Sequence, residues 1–125
     1  MAKRVSIINF KGGVGKTTLA FELACGLARY HSPARVLAID VDHQSSLSIV
    51  GLGAQGWDRI VASGNVIDKV FRSFVADGAG LPGSEIIHAT NLNHAHYGRM
   101  KIVPASLNLD DIEIELTATH KGNAI

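Results

Sequence analysis

The stretch Val5-Ser6-Ile7-Ile8-Asn9-Phe10-Lys11-Gly12-Gly13-Val14-Gly15-Lys16-Thr17-Thr18 decides how this sequence reads. Val5 to Ile8 is a short β-branched apolar run that stops at Asn9 and meets a glycine cluster, the pattern of a buried strand. From Lys16 to Tyr30, Leu19, Ala20, Leu23, Ala24 and Leu27 fall at helical spacing. Phe21, Cys25 and Ala28 add a second apolar stripe, so this helix is expected to be covered on more than one side. His31-Ser32-Pro33 ends it, because proline cannot continue a helix and restricts the residue before it. Val36-Leu37-Ala38-Ile39-Asp40 is a second apolar run of strand length ending in acid. A strand, a helix and a strand in this order make a βαβ unit with parallel strands and a right-handed crossover. Continuous apolar runs predict an α/β fold whose mainly parallel sheet carries helices on both faces.

The glycine cluster therefore sits where a strand turns into a helix, and there phosphate chemistry can use it. Glycines let the backbone turn tightly and aim successive N–H groups inward, and the helix N-terminus adds partial positive charge. Lys16 supplies a full charge to the outer phosphates, and Thr17 offers a hydroxyl to Mg²⁺. The pattern G-x-x-x-x-G-K-[ST] asks for glycine at position 10, where this chain has Phe10.

The composition fits this reading. The length of 125 residues allows one domain, and 12 Lys plus Arg against 11 Asp plus Glu leave a net charge of +1. That balance excludes a basic nucleic-acid arm or an acidic tail. Apolar residues make up 46% and charged residues 18%, below the usual charged share of roughly 25%, which excludes a disordered chain. Cys25 is the single cysteine, so neither an internal disulfide nor a thiolate cluster is available, and a cytoplasmic setting is expected. No run approaches the roughly 20 apolar residues of a membrane span.

Further along, Ser45 to Val50 is expected to start a short helix, and Gly51, Gly53, Gly56 and Trp57 to form a loop. Val66, Ile67, Val70, Phe71, Phe74 and Val75 form an amphipathic helical stripe, with Asn65 as N-cap and Gly78 as stop. Asp77 to Ser84 reads as loop, Glu85 to His88 as a short strand, and Met100 to Val103 as a strand closed by Pro104. Leu107, Leu109, Ile112 and Leu116 point to a helix, although Ile112 to Leu116 also alternates with period two. His94 and His96 lack a third ligand and read as a polar loop; Cys25 and Trp57 read as packed residues.

Lys11-Gly12-Gly13-Val14-Gly15-Lys16-Thr17-Thr18 resembles the deviant Walker A motif of the ParA/MinD (Soj-like) ATPases, which begins with an additional lysine and does not require the first glycine. Val36 to Gln44, with Asp40 and Asp42, is similar to the family's apolar run ending in D-x-D-P-Q. Ile102-Val103-Pro104-Ala105-Ser106 with Leu109 is a looser match to a strand that ends in proline and leads to a helix. The resemblance implies a P-loop NTPase-like α/β fold, with residues 1–125 as the N-terminal part of one P-loop ATPase domain.

It also implies roles. Lys11, Gly12, Gly13, Val14, Gly15, Lys16, Thr17 and Thr18 would hold ATP or ADP: Lys16 the β- and γ-phosphates, Thr18 the α-phosphate. Thr17 and Asp40 would hold Mg²⁺. Asp42 would orient the attacking water, and Lys11 would reach across an ATP-sandwich homodimer to the partner's nucleotide and act catalytically there. Two carboxylates at i, i+2 on a strand end are expected to point the same way, toward the carboxyl edge of the sheet. His43 stands where the family has proline, and Glu22 where an asparagine is common. No run after Val50 supplies a Walker B strand ending in aspartate, so the chain reads as part of a longer protein. The implied function is that of a ParA-like partition ATPase in plasmid or chromosome segregation, with a ParB-like activator and nonspecific DNA binding through a further C-terminal half. A MinD-like membrane-associated regulator of cell division and a non-hydrolysing nucleotide-binding module are the alternatives.

Overall fold

A three-stranded sheet in the order β1-β3-β2 organises the chain. The structure, a computed structural model, describes residues 2–8, 15–31, 34–75, 80–93, 95–112 and 114. In chain order its elements are α1 (Lys16–Tyr30), β1 (Val36–Ile39), α2 (Ser46–Leu52), α3 (Ala54–Ser63), α4 (Asp68–Val75), β2 (His88–Ala89) and β3 (Met100–Val103). Short 3₁₀ turns cover Ser84–Ile86 and Ala95–Arg99, and residues 109–112 and 114 are helical.

The expected helix at Lys16 to Tyr30 and the strands at Val36 and Met100 form, but α1 is not covered on more than one side by the described residues: Leu19, Leu23 and Leu27 are exposed. β1 and β3 pair in parallel, with Val36 opposite Met100 and Ile39 opposite Val103. Successive side chains of β3 go to opposite faces. Met100 packs with Ala24 and Ala28 of α1, joined by Cys25, Val36 and Ala38, while Ile102 meets α2 at Gly51. Val103 turns the other way, into a cluster with Ile67, Ile86, Ala105, Leu109 and Ile112 that Val70 and Phe71 cover. Helical segments therefore lie on both faces of β3, and Met100 and Ile102 of β3 and Leu109 and Ile112 beyond it are fully buried large side chains.

Among the described residues the sheet is mixed, with one parallel and one antiparallel pairing. β2 runs antiparallel to β3, with His88 opposite Ile102 and Ala89 opposite Lys101. Ala89 and Met100 are separated by a short connection with one 3₁₀ turn, and a parallel return needs a crossover of a dozen residues or more. The strand expected at Val5 to Ile8 does not form: residues 2–8 are unpaired, and Val5 and Ile8 are 71% and 76% exposed. A doubly buried strand needs a neighbour and two covered faces. Among the described residues β1 is the edge of the sheet, and its Leu37 and Ile39 are 48% and 52% exposed.

The loop expected around Trp57 is also corrected. Of Gly51, Gly53 and Gly56, only Gly53 has a positive φ, +75°; it joins α2 to α3, which runs through Gly56 and Trp57. Trp57 Nε1 donates to the Ala105 carbonyl at 2.9 Å, so a tertiary contact favours helix where local glycine content suggested loop. α4 begins at Asp68, two residues after the start of the predicted stripe. Val66 and Ile67 are buried ahead of it, while Phe74 is exposed. Asn65 accepts a bond from Lys69 Nζ on its side chain, at 2.7 Å, instead of capping the helix. The strand expected at Glu85 to His88 is a 3₁₀ turn followed by β2. The expected stop at Gly78 and the His94 to His96 pair lie outside the described residues or side chains.

Candidate functional site

Gly15 precedes α1 with φ +83° and ψ 14°, a left-handed conformation that costs an L side chain about 1–2 kcal/mol. That is the local reason for glycine immediately before Lys16. The first helical bond runs from Leu19 N–H to the Gly15 carbonyl at 2.9 Å, so the N–H groups of Lys16, Thr17 and Thr18 belong to the helix end that lacks intrahelical acceptors. Among the described residues no side chain caps this end, and no acidic residue lies in its first turn. A 15-residue helix opened this way presents donors and partial positive charge to an anion. Thr17 is partly buried, and Gly15 and Thr18 are exposed. Lys11, Gly12, Gly13 and Val14 lie outside the described residues.

Asp42 meets this helix end. Its Oδ2 lies 2.8 Å from Lys16 Nζ, with both side chains about a third exposed or less. The bonded Lys16 ammonium holds the Asp42 carboxyl below the usual carboxylate range, against an opposing push from burial. The Gln44 N–H and the charges of Lys16 and His43 add to the lowering. Gln44 N–H donates to Asp42 Oδ1 at 3.0 Å. His43 Nδ1 stands 3.8 Å from Asp42 Oδ1 and 3.7 Å from Asp110 Oδ1, so the residue in the family's proline position sits between two carboxylates.

Asp40 is 4% exposed. Its Oδ1 accepts the Asp42 N–H at 3.1 Å; its Oδ2 accepts the Ser48 N–H at 3.0 Å and the Ser48 hydroxyl at 2.6 Å. Asp40 thereby caps α2 from outside the helix, a task that Ser45 at the N-cap does not perform. Ser45 is fully buried at φ 58°, a turn closed by its N–H on the Asp42 carbonyl at 2.8 Å. The two acidic side chains thus engage different partners, Asp40 the start of α2 and Asp42 the start of α1. β1 ends at Ile39, so the period of two no longer governs where positions 40 and 42 are directed.

The donor set fits a magnesium ion bound largely through phosphate and water. Such an ion takes one or two protein carboxylates and keeps several waters. Among the described residues no cluster of three or more His, Cys, Asp or Glu is arranged to hold a metal. A carboxylate offers about four acceptor positions, and the three bonds to Asp40 leave one on Oδ1.

Sequence reasoning missed Ser48. Its hydroxyl donates to Asp40 and accepts the Ala105 N–H at 2.9 Å, and nothing in the sequence set it apart from the neighbouring Ser45 and Ser46. Cys25 is a packed residue of α1; burial first, and then Glu22, pushes its thiol pKa up and disfavours the reactive thiolate. A separate open cleft of about 510 Å³ lies between Gly53, Gln55 and Arg59 on one side and Thr90 and Asn91 on the other. It contains none of the predicted site residues.

Comparison with known proteins adds independent findings. A family model described as an AAA domain matches residues 2–125. The chromosome partitioning protein ParA of Myxococcus xanthus is 33% identical over 112 residues, 90% of this chain and 33% of that protein. The sporulation initiation inhibitor protein Soj of Bacillus subtilis is 33% identical over 119 residues, 95% of this chain and 40% of that protein. A ParA family protein of Chlamydia muridarum is 39% identical over 83 residues, 63% of this chain and 32% of that protein. The chain spans about a third of the length of these curated relatives. No solved structure gives a significant match.

Proposed function

The chain belongs to the AAA domain family as a ParA/MinD-like member, and from that premise we propose that it is the nucleotide-binding part of a ParA-type partition ATPase. The observation that carries the reading is the pairing of Lys16 with Asp42 at 2.8 Å, at the N-terminus of α1 behind the left-handed Gly15. In this reading the lysine that would take phosphate stands beside the carboxylate that would serve the attacking water.

Gly12, Gly13, Val14 and Gly15 would surround the phosphates with backbone N–H groups, and Lys16 would neutralise the β- and γ-phosphates. Thr18 would contact the α-phosphate. The Lys16 ammonium has three donors, so phosphate would compete with Asp42 for its charge rather than for a single bond. Asp42, freed from Lys16, would accept a hydrogen bond from water at a carboxylate oxygen and aim it at the γ-phosphate. Thr17 Oγ1 and Asp40 Oδ1 would hold Mg²⁺ or its water shell, and the ion when bound would neutralise charge on the outer phosphate oxygens. Lys11 would complete the site of a second copy across an ATP-sandwich homodimer.

In the intact protein this chemistry would drive segregation of plasmid or chromosome, stimulated by a ParB-like activator on nonspecifically bound DNA, in the cytoplasm or on the nucleoid. Among the described residues no helix is long and apolar enough to cross a membrane. Equilibrium binding of ATP to the wild-type chain and to Lys16→Ala tests the reading. A charge-assisted bond worth about 1.5–3 kcal/mol puts the loss at roughly 10- to 100-fold, and unchanged affinity refutes the assignment.

A further inference from the structure

We propose that Ser48 is a positioning residue of this site, fixing through its hydroxyl which oxygen of Asp40 is left to face a cation-bound water. The proposal rests on the phosphate-site reading above. Ser48 gives Asp40 Oδ2 both its N–H and its Oγ–H, which together use the two lone pairs of that oxygen. Oδ1 has one donor, the Asp42 N–H, and so retains one lone pair beside the loop that carries Asp42. Without the Ser48 hydroxyl, Oδ2 loses a donor and the carboxylate gains freedom to turn about its χ2, a broad torsion for aspartate.

The hydroxyl is itself held. Its oxygen accepts the Ala105 N–H, and Ala105 lies in the three-residue segment 104–106 after β3, which other elements grip as well. The Pro104 carbonyl accepts the Ile67 N–H at 2.7 Å, and the Ala105 carbonyl accepts Trp57 Nε1. Ser106 donates its hydroxyl to Asp68 Oδ2. Asp40, Ser48 and Ala105 are all buried, so water does not replace a lost partner freely. The carboxylate is therefore set by a side chain that both donates and accepts in one place. Serine and threonine satisfy that requirement, whereas alanine satisfies neither half. Groups that orient a metal-binding side chain in this way are typically worth about 10- to 100-fold in metal affinity.

The test compares wild type, Ser48→Ala and Ser48→Thr in two titrations: ATP without divalent cation, and Mg²⁺ into the protein–ATP mixture, corrected for Mg²⁺ binding by ATP alone. The expected result for Ser48→Ala is ATP affinity without cation within about twofold of wild type, and protein-dependent Mg²⁺ affinity lowered about tenfold or more, with Ser48→Thr restoring it. A purely structural role weakens both titrations together. That pattern, or an unaltered Mg²⁺ response in Ser48→Ala, overturns the proposal while leaving the phosphate site standing. If Ser48→Ala does not fold, Ser48→Cys, of similar size with a weak donor, takes its place under the same criteria. Wild type that binds no ATP overturns the phosphate-site reading and this proposal together.

Discussion

Lys16 Nζ and Asp42 Oδ2 are 2.8 Å apart, joining the first residue of α1 to the loop that leaves β1. The pair crosses 26 positions of sequence, and each member has a role that the other's company restrains. For a partly exposed pair the coupling is modest, about 0.2–1 kcal/mol. Asp42→Asn relieves Lys16 of its competitor, so ATP affinity is expected to rise by about two- to fivefold, measured by calorimetric titration. A fall in affinity would show that Asp42 helps rather than competes in ground-state binding.

The same pair predicts a pH signature. Because the folded-state pKa of Asp42 is lowered, chiefly by its bond to Lys16, its stabilising contribution is full above the ordinary carboxylate pKa. That contribution is lost as pH falls through the depressed value. Carboxyl-carbon NMR titration of Asp42 is expected to give a value below that of an unfolded aspartate, and Lys16→Ala to move it upward. No upward movement would mean that Lys16 is not the main cause.

Gly15→Ala is expected to destabilise the start of α1 by about 1–2 kcal/mol even though a Cβ there meets nothing within 4 Å. The cause is the backbone angle and not crowding. Chemical denaturation measures it, and a neutral substitution would show that the turn relaxes to negative φ.

Core and edge of the sheet are expected to respond differently. Ile102 is fully buried between Gly51 and its strand neighbours, so Ile102→Ala is expected to cost about 2–5 kcal/mol. Ile39→Ala, on the half-exposed edge, is expected to cost less than about 1.5 kcal/mol by urea unfolding. Equal costs would place a cover over β1.

Much of the scaffold was readable from local pattern. Lys16 to Tyr30, Val36 to Ile39 and Met100 to Val103 each carry an apolar period or run that leaves few choices. Around Trp57 the reading failed because three glycines look alike in sequence, yet only Gly53 has a positive φ, and the bond to Ala105 that anchors the helix comes from 48 residues away. Val5 to Ile8 has strand composition, but a strand also needs an adjacent edge and two covered faces, which composition does not encode. At the site, spacing singled out Lys16 at the start of α1 and the resemblance singled out Asp42, and the two side chains meet. Neither singled out Ser48, since its meaning depends on a backbone N–H 57 residues later. The divergence of Asp40 and Asp42 was hidden for a similar reason: α2 draws Asp40 inward to cap it.

The central claim is that phosphate is taken at the start of α1 beside Asp42. Amide chemical-shift mapping during ATP addition, in the presence of Mg²⁺, tests it most directly. The account predicts that the largest perturbations fall on Gly15, Lys16, Thr17, Thr18 and Asp42. Perturbations concentrated instead on Gly53, Gln55, Arg59, Thr90 and Asn91, the residues of the separate cleft, with the start of α1 unmoved, would contradict it.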